Sequence, residues 1–371
     1  MSGAVLIGAE IYRKPGFGKN HPLAIPRVGL VMETCEAMGW VGSGYRESPK
    51  ATIAQITRFH DPAYVEAVTR VSAAGKAETA DRERYQLGTM ENPVFEGLLD
   101  RALTTCGGSI LAAEIALDGG VAFNPAGGTH HGMPDHAHGF CYFNDPVMAI
   151  LTLLEKGEGR VFYLDLDAHH GDGVEQAFAH EPRVTTVSIH EAGCWPGTGQ
   201  AHGPADSGIY NFAVPRAFND AELIFLMEEA VLPILEEMAP TCAVITCGAD
   251  ALAGDPLSSM ELSNVALWDA VLEITSRVPG TAVLGGGGYN PWTVARCWSG
   301  LWGRLSGRDL PWALPPEIAA RFQEIDCDLV DEDDQLSVWF ERIDDLPVES
   351  EVRSAVRDLV DPVAQKSREV V

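Results

Sequence analysis

Between Val161 and His170 the chain reads VFYLDLDAHH, an apolar run that ends in two carboxylates and two imidazoles. Side chains of an extended strand alternate between its faces, so Asp165, Asp167 and His169 project to one side. Three ionisable groups on a buried strand are costly unless a cation offsets them, and two carboxylates with an imidazole suit a divalent metal. A mononuclear catalytic site needs three protein ligands and an open position for water. The run CAVITCGAD, residues 242 to 250, supplies the missing ligand in Asp250. Asp167, His169 and Asp250 would leave a bound divalent ion near neutral. Asp255 is the competing carboxylate, but its place just before Pro256 suits loop support.

Two further groups could move protons at such a centre. His130 and His131 follow Gly127 and Gly128, whose freedom permits close backbone approach. Adjacent imidazoles near a water could divide base and acid roles if carboxylates tune them separately, and Asp165 and Asp172 are the available partners. Tyr289 follows four glycines, Gly285 to Gly288. No Lys-Ser/Thr follows them, so a phosphate cradle is a poor reading. A tight turn that aims the Tyr289 hydroxyl at a developing oxyanion is the better one. His21, His60, His136, His180, His190 and His202 lack such company and are expected to be structural.

The elements that must position these groups follow one rhythm. Apolar or β-branched runs end in polar residues and give way to helical stretches: VAFNPAGGTHH from 121, VFYLDLDAHH from 161, TTVSIH from 185, CAVITCGAD from 242 and TAVLGGGGY from 281. Continuous apolar strands alternating with helices predict an α/β fold, a single domain whose parallel sheet carries helices on both faces. Ligands of such sheets sit outside the carboxyl ends of the strands. Nine of the eleven histidines fall between His130 and His202, which places the active site there. Asn219 and Asp220 are cap candidates for a helix carrying Leu223, Met227, Ala230, Ile234 and Met238, kinked by Pro233. Helical patterning also marks Val28 to Met38 and Glu96 to Leu117. The domain is expected to cover residues 1–320, with 321–371 an acidic segment packed on it or trailing from it.

Composition narrows the function. With 26 Lys and Arg against 53 Asp and Glu, the formal charge is −27 over 371 residues. That balance argues against nucleic acid as a partner, which would need a basic face. It would instead raise the local concentration of cationic substrates. No apolar run approaches a membrane span, the opening residues carry no targeting pattern, and the eight cysteines show no CxxC spacing. A cytoplasmic protein with reduced thiols and no membrane partner is expected.

Five ordered motifs resemble the metal-dependent histone deacetylase family within the arginase-like α/β fold. They are GGTHHGMPDHAHGFCYFND (127 to 145), YLDLDAHHGDGVEQAF (163 to 178), TVSIH with WPGTG (186 to 190 and 195 to 199), CGADALAGDPL (247 to 257) and LGGGGYNPWTVARCW (284 to 298). The nearest look is to bacterial acetoin-utilisation-type members, similar to class I deacetylases. The resemblance implies hydrolysis of an acyl amide on a lysine side chain of a peptide or protein, or on a small amine such as a polyamine. It implies Asp167, His169 and Asp250 as ligands of Zn2+, with Fe2+ the alternative. His131 takes the place of the general base and acid and His130 that of its electrostatic neighbour. Asp172 and Asp165 are their respective partners, and Tyr289 is the carbonyl-polarising donor. A structural K+ is implied at the side chains of Asp165 and Ser188 and the carbonyls of Asp167, His169 and Ile189. Phe140 and Trp195 would wall an acyl-lysine tunnel, with Gly139 and Leu257 nearby, Glu91 gripping the substrate backbone and Arg27 lining an acetate channel.

Several positions depart from the family pattern. Trp195 stands where phenylalanine is usual, and Glu91 lies in a slightly longer loop. Ala24 and Pro256 occupy positions that are basic in members recruited through inositol phosphate, so that assembly is not expected. A binuclear manganese ureohydrolase would need a carboxylate where Gly171 stands. An inactive acyl-lysine binding module is at odds with a complete set of catalytic residue types, and a turnover assay separates the two.

Overall fold

The computed structural model describes residues 3–360 except 15, 158, 205, 206, 279 and 347. The five runs read as strands belong to one sheet of eight parallel strands. In chain order these are β1 Val5–Gly8, β2 Tyr45–Glu47, β3 Val121–Asn124, β4 Val161–Asp165, β5 Val184–Glu191, β6 Ile209–Val214, β7 Cys242–Thr246 and β8 Gly280–Leu284. Their spatial order is β2-β1-β3-β8-β7-β4-β5-β6. The central strands β4 and β7 are buried throughout, which is why they read as unbroken apolar runs. Alternation divides each between two cores. Phe162, Leu164, Ala243 and Ile245 join the helices Arg27–Ala37, Asn264–Arg277 and Pro291–Leu305 on one face. Val161, Tyr163, Cys242 and Val244 join Pro62–Ala74, Leu98–Leu117 and Asp145–Glu155 on the other.

Three strands escaped the sequence reading. β1 and β2 are only four and three residues long, and β6 is an edge strand, so none shows the long apolar run that marks a central strand. They draw the N-terminal third into the same sheet. The predicted helices at Val28 to Met38 and Glu96 to Leu117 begin one residue earlier and two residues later than expected, at Arg27 and Leu98. The Asn219 side chain caps Asp220–Leu226, accepting from the Glu222 amide at 3.2 Å. Beyond it the helix widens into a π turn at Met227–Val231 before resuming at Leu232–Met238, just where Pro233 has no amide hydrogen to donate.

The acidic segment after residue 320 packs on the domain as far as Val360. Phe322, Trp339, Ile343 and Val356 are buried in the first core. Arg296 reaches Asp345 at 2.7 Å, and Arg353 grips the buried Glu222 with two bonds of 2.6 Å. Residues 361–371 of the expected segment lie outside the described residues. Among the described residues no helix is long and apolar enough to cross a membrane.

Candidate active site

Regular β4 pairing stops at Asp165, so Asp167 and His169 lie beyond the strand rather than on it. The backbone nevertheless stays bonded to its neighbours: the Leu166 amide donates to Thr246 at 2.9 Å, and the Ala168 carbonyl accepts from Glu191 at 2.9 Å. Alternation therefore continues, with Leu166 and Ala168 in the core and Asp165, Asp167 and His169 on the opposite side. Asp250 arrives from a single helical turn, Ala249–Ala251, just past β7. Asp167, His169 and Asp250 are buried and bring one ligand atom each within 4.8 Å of one another. His169 Nδ1 lies 2.9 Å from Asp250 Oδ2 and 3.2 Å from Asp167 Oδ1.

Backbone amides hold both carboxylates. Gly287 donates to Asp167 at 2.6 Å, and Ala168 donates to Asp250 at 3.0 Å. Gly286 and Gly288 adopt φ of +153° and +135°, and a Cβ on Gly287 would collide with Asp250. The four glycines thus let the chain pass directly over the carboxylates, a more demanding task than the tight turn expected. Burial and the neighbouring Asp167 push the Asp250 carboxyl up to about 6. Despite burial, the paired acids raise His169 well above its ordinary value. Two buried acids and one imidazole around a common point have the charge and donor set that a divalent cation would satisfy.

His130 and His131 lie past β3 and not on it, because the strand ends at Asn124 and Pro125 has no amide to continue the ladder. Their loop is held from below. Asp145 accepts from the amides of Gly128 at 3.0 Å and Thr129 at 2.7 Å, and the Asn144 amide group donates to the carbonyls of His130 and Gly132 at 3.0 Å each. His130 Nδ1 meets Asp165 at 2.7 Å, and His131 Nδ1 meets Asp172 at 2.8 Å. Asp165 also receives the Tyr163 hydroxyl at 2.7 Å and the Asp167 amide at 3.1 Å. It lies opposite Ser188 in the β4–β5 register, and the Ser188 hydroxyl is 2.9 Å from His190. Ile189 is buried on β5 beside it.

Tyr289 is buried, its amide donating to Asp255 at 2.6 Å. Asp255 also accepts from Leu257 at 2.9 Å, so it does support the loop. Burial and then Asp250 raise its carboxyl to about 7. The rings of His131 and Tyr289 each stand 6.3 Å from that of His169. Phe140, in the left-handed region at φ +65°, faces Tyr289 at 6.0 Å and His21 at 4.6 Å. Trp195, 43% exposed, edges His131 at 4.6 Å. A Cβ on Gly139 would meet both Trp195 and His131, which brings that residue to the wall. The Gly139 amide donates to the Glu91 carboxylate, fastening the rim loop to the wall. Arg27 donates to the Gly286 carbonyl and lies over Trp298 at 5.0 Å, bordering a cavity of about 230 Å³ that also reaches Phe140 and Gly286.

Contacts thus link Asp167, His169, Asp250, His130, His131, Asp172, Tyr289, Phe140, Gly139 and Trp195 around one centre, while Leu257 is tied to Asp255 and Glu91 turns its carboxylate to Gly139. The reading gave no role to the supports Asn144, Asp145 and Tyr163, although they lie at the ends of two of the quoted motifs. It also passed over His138, which lies beside Asp172. Of the histidines expected to be structural, His60 and His190 are buried and hydrogen-bonded. His21 is likewise buried and hydrogen-bonded, its Nδ1 accepting from the Leu23 amide at 3.0 Å, and its ring stacks on Phe17 and meets Phe140 edge-on at the rim.

Residues 21–305 match the model of the histone deacetylase domain. The chain is 33% identical to the acetoin utilization protein AcuC of Bacillus subtilis, with 87% of each chain covered. It is 35% identical to histone deacetylase 8 of Xenopus tropicalis, covering 78% of this chain and 80% of that one. The crystal structure of a histone deacetylase homologue from Aquifex aeolicus superposes with a TM-score of 0.91 at 34% identity, covering 97% of this chain and 99% of the other. A structure of such a homologue complexed with SAHA aligns with the same scores.

Proposed function

From the premise that this chain belongs to the histone deacetylase family and is a deacetylase, we propose that it removes acetyl groups from lysine side chains by metal-assisted hydrolysis. The observation that carries this reading is the placement of His131 and Tyr289, each 6.3 Å ring to ring from His169 in the buried Asp167–His169–Asp250 cluster. That cluster would hold Zn2+, with Fe2+ the alternative. The bound ion would supply Lewis-acid polarisation of the amide carbonyl and of a water molecule.

The remaining steps belong to the chain's own side chains. His131 Nε2 takes a proton from the attacking water, its ring oriented by Asp172 through Nδ1. His130, anchored on Asp165, places positive charge beside it. The Tyr289 hydroxyl donates to the oxygen on which negative charge develops, and burial keeps that phenol protonated by raising it well above its ordinary value. His131 then returns the proton to the departing amine. Phe140, Trp195, Gly139 and Leu257 wall the passage for the acyl-lysine stem, Glu91 braces its rim, and Arg27 borders the acetate exit. Asp165, Ser188 and the carbonyls of Asp167, His169 and Ile189 would hold K+ beneath the centre.

The charge of −27 favours cationic substrates through long-range attraction that salt weakens. All eight cysteines are free thiols and seven are buried, in keeping with the reducing cytoplasm in which we place the protein. Turnover of acetyl-lysine peptides is to be compared with that of acetylated polyamines on one zinc-loaded preparation. Preference for the peptides supports the reading, and preference for the polyamines makes it a small-amine deacetylase. No release of acetate from either overturns it.

A further inference from the structure

His138 takes no part in the chemistry above, yet it stands against the residue that orients His131. Its Nδ1 lies 3.4 Å from Asp172 Oδ2, beyond hydrogen-bonding geometry, and that nitrogen is buried with no hydrogen-bond partner. Asp172 Oδ1 is meanwhile occupied by His131 Nδ1 at 2.8 Å and the Gly173 amide at 2.9 Å. His131, His138 and Asp172 bring one ligand atom each within 4.8 Å of one another. Trp195 covers the group, its ring 4.7 Å from that of His138 and 4.6 Å from that of His131. The His138 side chain remains 27% exposed, which leaves a route from solvent.

We propose that His131, His138 and Asp172 form a second divalent-cation site, which fills when free zinc is in excess and silences the enzyme. Two imidazoles, which are borderline donors, and one harder carboxylate make a ligand set that Zn2+ takes, and with three protein ligands the ion keeps one position for water. The site fills after Asp167, His169 and Asp250. Those three contribute two buried carboxylates, whereas an ion at Asp172 has one carboxylate and must displace the proton that His131 donates to it.

The consequence for His131 follows from its two nitrogens. The ion forms a bond to Nδ1, the Nδ1–H bond breaks, and that proton leaves to solvent. His130 Nε2 lies 2.9 Å from His131 Nε2, and the proton between them then settles on His131. A ring with the ion on Nδ1 and a proton on Nε2 has no lone pair left to act as a base. This effect on turnover rests on the proposed role of His131, but the uptake of a second ion does not.

The test starts from protein loaded with one equivalent of zinc. Added Zn2+ is titrated while bound metal is measured by equilibrium dialysis and elemental analysis, and turnover of an acetyl-lysine peptide is followed in parallel. The wild type should take up a second equivalent as turnover falls at least tenfold, and a weak chelator that leaves the first ion in place should restore activity. His138→Ser and His138→Ala, checked for an unchanged melting profile, should stop at one equivalent and need at least tenfold more zinc for the same relative loss. His136→Ser removes a neighbouring histidine whose ring is 6.0 Å from that of His138 and should behave as the wild type. A wild type that stops at one equivalent overturns the site, as do His138 variants that still bind two or an His136 variant that alone loses the second. A second ion bound without loss of turnover overturns the switch. If no preparation turns over substrate at one equivalent, the deacetylase mechanism has failed, and the dialysis comparison still decides the site.

Discussion

His130 and His131 meet Nε2 to Nε2 at 2.9 Å, while the Nδ1 of each is held by its own carboxylate. A carboxylate only accepts, so both Nδ1 atoms carry hydrogen, and two bare Nε2 lone pairs would repel at that distance. One shared proton resolves the contact. Burial opposes charge on His130, but Asp165 and Asp167 outweigh it and raise that ring to about 9. Burial and then the charge of His130 push His131 down to about 3. The proton therefore resides on His130 and is donated to the single Nε2 lone pair of His131, which must release that contact before it takes a proton from water. kcat/KM should fall above about pH 9, as rising pH strips the shared proton. His131→Ala should lower kcat/KM by roughly 10²–10⁴-fold. His130→Ala should leave a lower rate with that alkaline limb removed. A pH profile of the three proteins checks this, and an unchanged limb in His130→Ala counts against the shared proton.

Removing one carboxylate from the buried cluster should release the ion. Asp250→Ala is expected to lose stoichiometric metal and activity together, by elemental analysis and acetate release. Retention of both would sink the ligand assignment.

Tyr289 acts where charge develops. Tyr289→Phe should lower kcat about 10²–10³-fold with KM little changed, because the lost donor serves the transition state. A KM effect with normal kcat would instead mark a binding residue.

His60 couples stability to pH. Its Nδ1 is 2.9 Å from the Met133 carbonyl, which can only accept, and its Nε2 accepts from the Asn144 amide at 3.0 Å, which requires the neutral ring. Burial lowers it from the ordinary 6.5 to about 4. Below pH 6.5 the unfolded chain binds a proton that the folded one refuses, so stability falls as pH drops and levels off below about 4. The total loss from this group is about 3 kcal/mol. His60→Gln should be less stable at pH 7 but should lose less melting temperature between pH 7 and pH 4.5. Parallel slopes for variant and wild type would show that His60 does not carry the effect.

The buried Glu222 gives a second acid-sensitive tie. Burial opposes its ionisation, yet the bidentate bond from Arg353 lowers it below its ordinary 4.5. Its contribution is present above pH 4.5 and is lost as pH falls through the lowered value. Arg353→Ala leaves a buried carboxylate without its cation, so a melting temperature several degrees lower at pH 7 is expected. The gap to the wild type should narrow on acidification, and a gap that widens would contradict the pairing.

What the sequence by itself determined were the residues whose chemistry is local. Central strands buried on both faces must be unbroken apolar runs, so β4 and β7 were legible, and the acids and imidazoles that end such runs stood out against them. Asp167, His169 and Asp250 could be grouped because parallel strands deliver their carboxyl ends to one edge. Short β1 and β2 and the edge strand β6 bury too little to leave that signature. Only the tertiary structure decided that His131 and His138 share Asp172, that Gly287 lies over Asp167, and that Glu91 turns to Gly139. Each joins residues from different loops, and the distance between loops is set by how helices and strands pack beneath them, which no local spacing records.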